Sequence, residues 1–420
     1  MKKVLFINPP VVCVNECQQG WYSFAHPTSI LKLIAWQQQL GHQVAFIDCM
    51  DYAVNKITSL QFYKKMPLGT NNLNLYIDTF ILGKPMSWLE QELQKQDPPE
   101  EVWISCHMTF NNELAHQVIR TVSTVFPEAL LLLGGNYATL FPEHAQQKSK
   151  ALIHGGLIPE AKTLFPDYSL FKAPLEYIVF QLDLGCENNC SHCVNSKLFK
   201  EVVRFDVQAL VDDLQQKKEL YGVIDFINID PNVANYDLED FLRACIEKKL
   251  EANLYFYGGI QPDKVTGGLA ELMKEANVRG MTLPRELEKE TNAQIQKSYG
   301  AEHFHRAVEI FQKNGFNLSD FHCSFPVGFK DDCLIDIASI IKEINDLGAI
   351  AEIAPVALIP GTAEYDRHSM LLKGKSLEEL NWALWPALDT AEQIFAHAQL
   401  YNAAHGNRFK RPWDSDIFAP

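Results

Sequence analysis

Two regimes of apolar and polar residues alternate along the first third of the chain. Solid apolar runs at residues 3–7, 43–47, 102–106, 129–133 and 151–154 have the unbroken hydrophobicity of strands covered on both faces. Residues 28–40 instead place Ile30, Leu31, Leu33, Ile34, Trp36 and Leu40 at helical spacing and stop at Gly41, a natural C-terminal cap. The same period predicts helices at 86–94 and 113–125. The rest of residues 56–100 carries no clear period, and Gly69-Thr70-Asn71-Asn72 marks a loop within it. The sum is an α/β domain over residues 1–155, doubly wound and Rossmann-like.

Residues 156–174, with Pro159, Pro166 and Pro174, read as a linker. A second alternating series follows. Strands are expected at 177–183, 222–229, 252–257, 279–283, 318–325 and 350–358, and helices at 207–220, 238–248, 268–275, 301–314 and 333–347. Six consecutive strand–helix units predict a parallel, partial (β/α)6 barrel over residues 175–370, with chemistry at the carboxyl ends of its strands. Residues 371–420 form a helical C-terminal segment in this reading: helical spacing at 377–404 runs through Trp382, Leu384, Trp385, Leu388, Ile394 and Phe395. No repeat of solenoid length is visible.

Composition narrows the function classes. The net charge of −15 over 420 residues disfavours a nucleic-acid partner, since a phosphate backbone needs a surplus of Lys and Arg. The apolar start, Val4 to Ile7, is cut by Asn8-Pro9-Pro10, too early for a secretory signal. No run reaches the ~18 apolar residues of a membrane span. The expectation is a cytoplasmic protein acting on a small molecule, away from membranes. Of ten cysteines, seven are scattered (Cys13, Cys17, Cys49, Cys106, Cys245, Cys323, Cys333) and read mostly as buried free thiols.

The other three form one group, Cys186-Glu187-Asn188-Asn189-Cys190-Ser191-His192-Cys193, just after the first strand of the second series. Three soft thiolates this close suit an iron–sulfur cluster or zinc. On a four-iron cube, three ligands leave one iron open for chemistry. A closed zinc site wants a fourth ligand, and no second CxxC follows, while His192 adjoins Cys193 too closely to chelate the same ion.

This Cys-x3-Cys-x2-Cys signature, ahead of a six-unit barrel, resembles the radical S-adenosylmethionine superfamily. The resemblance implies a [4Fe–4S] cluster on Cys186, Cys190 and Cys193. The open iron would chelate S-adenosylmethionine and, with an electron donor such as flavodoxin or ferredoxin, release a 5′-deoxyadenosyl radical. His192 stands where relatives carry an aromatic residue near adenine. Asn228-Ile229-Asp230-Pro231 stands where relatives have a Gly-Gly-Glu-Pro-like stretch; Asp230 is either the carboxylate that receives the cofactor's amino group or a turn residue before Pro231. The ribose contact that relatives carry after the fourth strand falls on one of Arg285, Glu286 and Glu288, with Glu288 taken as the candidate, and a surface charge run is the other reading of each. Ser324, in Ser324-Phe325-Pro326-Val327-Gly328, resembles the adenine-contacting fifth strand, and Pro360-Gly361-Thr362 a recurring turn after the sixth; both read equally as ordinary turns.

The first domain resembles the N-terminal cobalamin-binding domain of one large subgroup, through Phe6-Ile7-Asn8-Pro9-Pro10, Leu40-Gly41-His42-Gln43-Val44 and Leu133-Gly134-Gly135-Asn136. Gly134 and Gly135 would then let backbone approach the corrinoid, or else simply make a tight strand–helix turn. The Asp-x-His-x-x-Gly pattern of a lower cobalt ligand is absent, and Gly155-Gly156-Leu157-Ile158-Pro159-Glu160 replaces the Gly-Glu-Gly-Glu stretch expected there. His107, in Ser105-Cys106-His107, ends the third strand and reads equally as a local hydrogen-bonding residue. The leading expectation is cobalamin-dependent methylation of an unactivated carbon of a small metabolite or natural product. The alternative is radical oxidation, cyclisation or rearrangement with a degenerate cobalamin domain. A zinc-stabilised scaffold without turnover is the third reading.

Overall fold

The computed structural model describes residues 1–14, 26–50, 61–67, 76–171, 175–232, 237–286, 299–329, 332–381, 398 and 402–404. The chain divides into two compact units: Met1–Pro174 with Gly374–Leu384 and the last two residues, and Leu175–Lys373 with Trp385–Phe418.

The first unit contains β1 (Lys3–Asn8), β2 (Val11–Cys13), β3 (Gln43–Asp48), β4 (Gln61–Pro67), β5 (Tyr76–Leu82), β6 (Glu101–Ser105), β7 (Leu130–Gly134) and β8 (Leu152–Ile153). Five of them make a parallel sheet in the order β3-β1-β6-β7-β8, with the crossover between β1 and β6 that defines a doubly wound fold. Leu5, Ile7, Val102, Ile104 and Leu133 are buried against Ala115, Val118, Ile119 and Val122 of the helix Asn112–Val125 and Leu89 and Leu93 of the helix Met86–Gln94.

Part of the stretch without a clear period forms a second, antiparallel sheet, β2-β5-β4. Its strands escape a periodicity reading because Gln61–Pro67 carries two lysines and buries only Met66. Pairing supplies what burial does not: six residue pairs join β4 to β5.

His26 lies buried in this unit, its Nδ1 3.1 Å from the Tyr168 hydroxyl and its ring against Tyr168 and Phe171. Burial pushes its imidazole down to about 3 from an ordinary 6.5. The folded state therefore keeps it neutral, whereas the unfolded chain protonates first. Its stabilising contribution is complete above pH 6.5 and is lost progressively as pH falls toward 3. Thermal melts of the first unit should lose on the order of 2 kcal/mol between pH 7 and pH 5 from this residue. His26→Phe should reduce that acid slope; an unchanged slope would remove His26 as its source.

The second unit holds β9 (Tyr177–Phe180), β10 (Asp183–Leu184), β11 (Val203–Arg204), β12 (Asp225–Asn228), β13 (Asn253–Phe256), β14 (Val278–Thr282), β15 (Phe321–Val327) and β16 (Ile350–Pro355). Six strands form one all-parallel sheet in sequence order, β9-β12-β13-β14-β15-β16. This is the strand order expected for successive strand–helix units. The first expected strand is interrupted after Phe180, and β10 pairs antiparallel with β11 as a separate ribbon.

Helix boundaries follow local chemistry. Val207–Tyr221 starts at Asp206, whose carboxylate accepts the Ala209 N–H at 2.7 Å, and stops at left-handed Gly222. In the C-terminal segment, Leu377–Leu380 is a 3-10 turn rather than the start of an α-helix, because Asn381 turns extended. Residues 382–397, which carry most of the expected helical spacing there, lie outside the described residues.

The sheet has two unlike faces. Phe180, Phe226, Phe256, Cys323 and Phe325 are fully buried on one, where Phe241 of the helix Leu238–Glu247 stacks 5.2 Å from Phe180. Along β13, β15 and β16 the alternate positions Tyr255, Ser324 and Glu352 are only partly buried. The apolar face lies under helices, whereas the other face is buried at Val179, Ile227 and His322 and partly accessible at Tyr255, Ser324 and Glu352.

Candidate active site at the carboxyl end of the second sheet

The cysteine loop begins where β10 ends and closes into the short helix Asn195–Leu198. All three cysteines are half-buried. The Cys193 N–H donates to the Cys190 carbonyl at 3.0 Å, and the Asn195 N–H points at the Cys193 sulfur at 3.4 Å. Burial pushes the Cys186 thiol up, a rise that the nearby Asn188 backbone N–H and Asn232 side chain oppose.

Loops from three other strands reach this one. Asn232 comes from the loop after β12. Phe329, just past β15, packs its ring edge-on against His192 at 5.4 Å. Glu364, past β16, donates its backbone N–H to the Ser191 carbonyl at 3.1 Å. That N–H is held at the start of the helix Ala363–Arg367, which Thr362 caps by accepting the Tyr365 N–H at 3.2 Å. The Glu364 side chain is fully buried against Arg367 and His368. The cysteine loop is thus gathered at the carboxyl end of the sheet, where a parallel α/β fold collects its ligands.

The donor set fits an iron–sulfur cluster better than a lone ion. Among the described residues, no three His, Cys, Asp or Glu side chains converge at single-ion range. A closed zinc site needs such convergence, whereas a four-iron cube offers each thiolate its own iron. Peptide N–H groups aimed at thiolate sulfur are the outer partners such clusters use. The Ser191 hydroxyl, between two of the cysteines, is buried with no hydrogen-bond partner among the described residues.

Asp230 is fully buried. Its Oδ2 accepts the Leu182 N–H and the Asn228 side-chain amide, both at 2.8 Å, so the carboxylate ties the end of β12 to the chain leading into Cys186. Arg285 is committed elsewhere: Nε and Nη2 each lie 3.0 Å from the Glu343 carboxylate. Glu286 is buried and accepts from the Tyr299 hydroxyl at 3.4 Å. Glu288 lies outside the described residues. Ser324 sits on the partly accessible face, and its carbonyl accepts the Arg285 N–H at 2.8 Å.

Beside Ser324, His322 faces the Glu352 carboxylate at 3.5 Å, and Tyr257 packs 5.2 Å from the His322 ring. Tyr255 stacks on Tyr257, and Gly280 leaves the room both rings need, since a Cβ there would lie 2.8 Å from the Tyr257 hydroxyl. This polar row and Asn232 are absent from the sequence-derived site. The only trace of the row is an alternation of polar residues on β13, β15 and β16.

In the first unit, Gly135 has φ +92°, and a Cβ there would lie 2.6 Å from the Cys106 carbonyl oxygen, so the fold itself requires glycine. Gly134 is open: the nearest atom to its Cβ position is the His154 carbonyl oxygen at 3.9 Å. His154 follows β8, and its Nε2 is buried without a hydrogen-bond partner among the described residues. A half-buried backbone edge with room at its Cβ position, beside such a nitrogen, is a fitting border for a polar ligand. Cys106 donates its thiol to the Met108 carbonyl, and His107 is exposed.

No family model and no curated protein sequence matches the chain. Solved structures do. The radical S-adenosylmethionine methyltransferase TsrM from Kitasatospora setae, with tryptophan substrate and a SAM analog bound, aligns over 96% of this chain and 89% of its own with TM-score 0.66 and 13% identity. The same enzyme with cobalamin and a [4Fe-4S] cluster aligns over 95% of this chain and 91% of its own, with TM-score 0.62 and 13% identity. Among the described residues, no helix is long and apolar enough to cross a membrane. Over nearly its whole length, this chain is similar in fold to TsrM.

Proposed function

We propose that the chain is a radical S-adenosylmethionine enzyme that methylates a small molecule with the help of cobalamin. The observation that carries this reading is the gathering of the three-cysteine loop by the loops after β12, β15 and β16. Likeness in fold to a methyltransferase that binds cobalamin and a [4Fe-4S] cluster supports it. When bound, such a cluster supplies the electron that splits S-adenosylmethionine to a 5′-deoxyadenosyl radical, and a corrinoid supplies a methyl group.

In this reading Cys186, Cys190 and Cys193 hold the cluster. His192, Asp230, Glu288 and Ser324 are the proposed contacts of S-adenosylmethionine. Gly134, with Gly135 fixing the turn, is the proposed corrinoid edge. The partly accessible Tyr257 and Glu352, with the buried His322 between them, orient the substrate. Electrons come from a flavodoxin- or ferredoxin-like donor. The domain limits proposed for these roles are residues 1–155 and 175–370.

The test uses protein reconstituted anaerobically with iron, sulfide and cobalamin, given S-adenosylmethionine labelled in its methyl group and a metabolite extract. Label in a new product is the expected result. 5′-Deoxyadenosine without labelled product would replace methylation with the non-methylating alternative. A colourless protein that neither binds iron nor cleaves the sulfonium would remove the reading altogether.

A further inference from the structure

We infer that residues 195–204, which run back along the cysteine loop, are the docking surface for the electron donor, an acidic one-electron carrier protein, with Lys197 and Lys200 as its charged contacts. The inference rests on the functional reading above, which calls for a donor and gives it no place on the chain.

Three contacts fix this stretch against the loop. Past Cys193 the chain turns through the helix Asn195–Leu198 and returns as β11, where Val203 pairs with Leu184 and Arg204 with Asp183. Between those two points it passes over Gly185, the residue before Cys186. A Cβ on Gly185 would lie 3.1 Å from the Phe199 Cβ and 3.2 Å from the Glu201 carbonyl oxygen. The Lys197 ammonium lies 2.8 Å from where a Cβ on Gly361 would stand. Gly361 precedes the helix Ala363–Arg367, whose Glu364 N–H holds the Ser191 carbonyl. Both lysines therefore stand beside the loop that carries the three thiols.

Charge singles the stretch out. The chain carries −15 overall, so most of its surface repels an acidic protein. Residues 195–204 hold Lys197, Lys200 and Arg204 against Glu201 alone. Arg204 lies 3.8 Å from the Asp237 carboxylate, whereas Lys197 and Lys200 are exposed and make no ion pair among the described residues. Two uncommitted cations beside half-buried cysteines give a carrier with an acidic rim both a place and an orientation. One electron leaves the carrier, which is oxidised by one, and enters the cluster, which is reduced by one. No bond forms and no proton crosses the interface.

The test compares two reductants on the reconstituted full-length protein. Reduced flavodoxin, an acidic protein, reads the docking surface, and saturating dithionite, a small ion, bypasses it. The double variant Lys197→Glu with Lys200→Glu should slow cluster reduction by flavodoxin about tenfold or more at low salt, followed by stopped-flow absorbance. 5′-Deoxyadenosine formation should slow with it, while iron content and the dithionite-driven rate stay at parent levels. Added salt should slow the parent's reaction with flavodoxin more than the variant's. Calorimetry with oxidised flavodoxin should show a matching loss of affinity. An unchanged flavodoxin rate in the iron-loaded variant overturns the inference. An equal loss with dithionite overturns it too, since the lysines would then act on the cluster itself. A parent protein that binds no iron, or cleaves no S-adenosylmethionine with dithionite, fails the functional reading instead.

Discussion

Replacing any one of Cys186, Cys190 or Cys193 with alanine is expected to abolish reductive cleavage of S-adenosylmethionine, by at least about 100-fold, and to strip most of the iron. The estimate is a lower bound, because even partners one shell removed from a metal cost ~10–100-fold when deleted. Two thiolates cannot hold a four-iron cube in one orientation, so the open iron is no longer presented to the cofactor. Stability should change little in the apo protein. The three thiols are half-buried on a loop, and an alanine there leaves no core cavity.

Two controls sharpen the comparison. Cys333 is exposed, and Cys333→Ala should leave iron and cleavage at parent levels. Cys245 is buried in the helix Leu238–Glu247, and Cys245→Ala should cost a modest amount of stability while iron stays bound. Iron determination with chromatographic assay of 5′-deoxyadenosine reads all five variants. Full iron loading and cleavage in any of the three loop variants would refute the assignment.

What the sequence made legible was whatever repeats locally. The apolar runs of β1, β6, β7 and β12–β16 announce parallel strands because most residues on both faces of such strands are covered. The cysteine spacing is legible because its three ligands lie within eight residues. The strands β4 and β5 were not legible, since pairing rather than burial defines them. The contacts that shape the site are the least legible of all. Asp230 and Leu182, Asn232 and Cys186, His192 and Phe329, and Ser191 and Glu364 are each distant along the chain and meet only through the sheet. Arg285 shows the same limit from the other side. It stands where a ribose contact is expected, and the fold spends it on Glu343, which lies on the helix Leu334–Asp346.

Gly258, at the end of β13, connects stability to the site most directly. A Cβ built there would lie 1.5 Å from the Asp230 carbonyl oxygen and 2.7 Å from its carbon. Both are backbone atoms, so no side-chain rotation relieves the clash. One of the two loops must move. The loop after β12 is the one that holds Leu182 through Asp230. Displacing it breaks a buried, doubly bonded carboxylate and slackens the cysteine arm together. Gly258→Ala is expected to cost about 3 kcal/mol, the upper end of the usual range for overpacking, because the clash is with backbone and a buried network breaks with it. It should also lower iron retention in whatever protein remains folded.

Gly268 is the natural comparison. It lies in the helix Gly267–Glu275 with nothing within 4 Å of its Cβ position. Gly268→Ala should therefore stabilise the second unit by about 0.5–1 kcal/mol through reduced freedom of the unfolded chain. Hydrogen exchange over the peptides spanning β12 and β13, alongside thermal melts, separates the two outcomes. A Gly258→Ala protein that melts with its parent and keeps those amides protected would mean that the loop after β12 is not fixed by this contact.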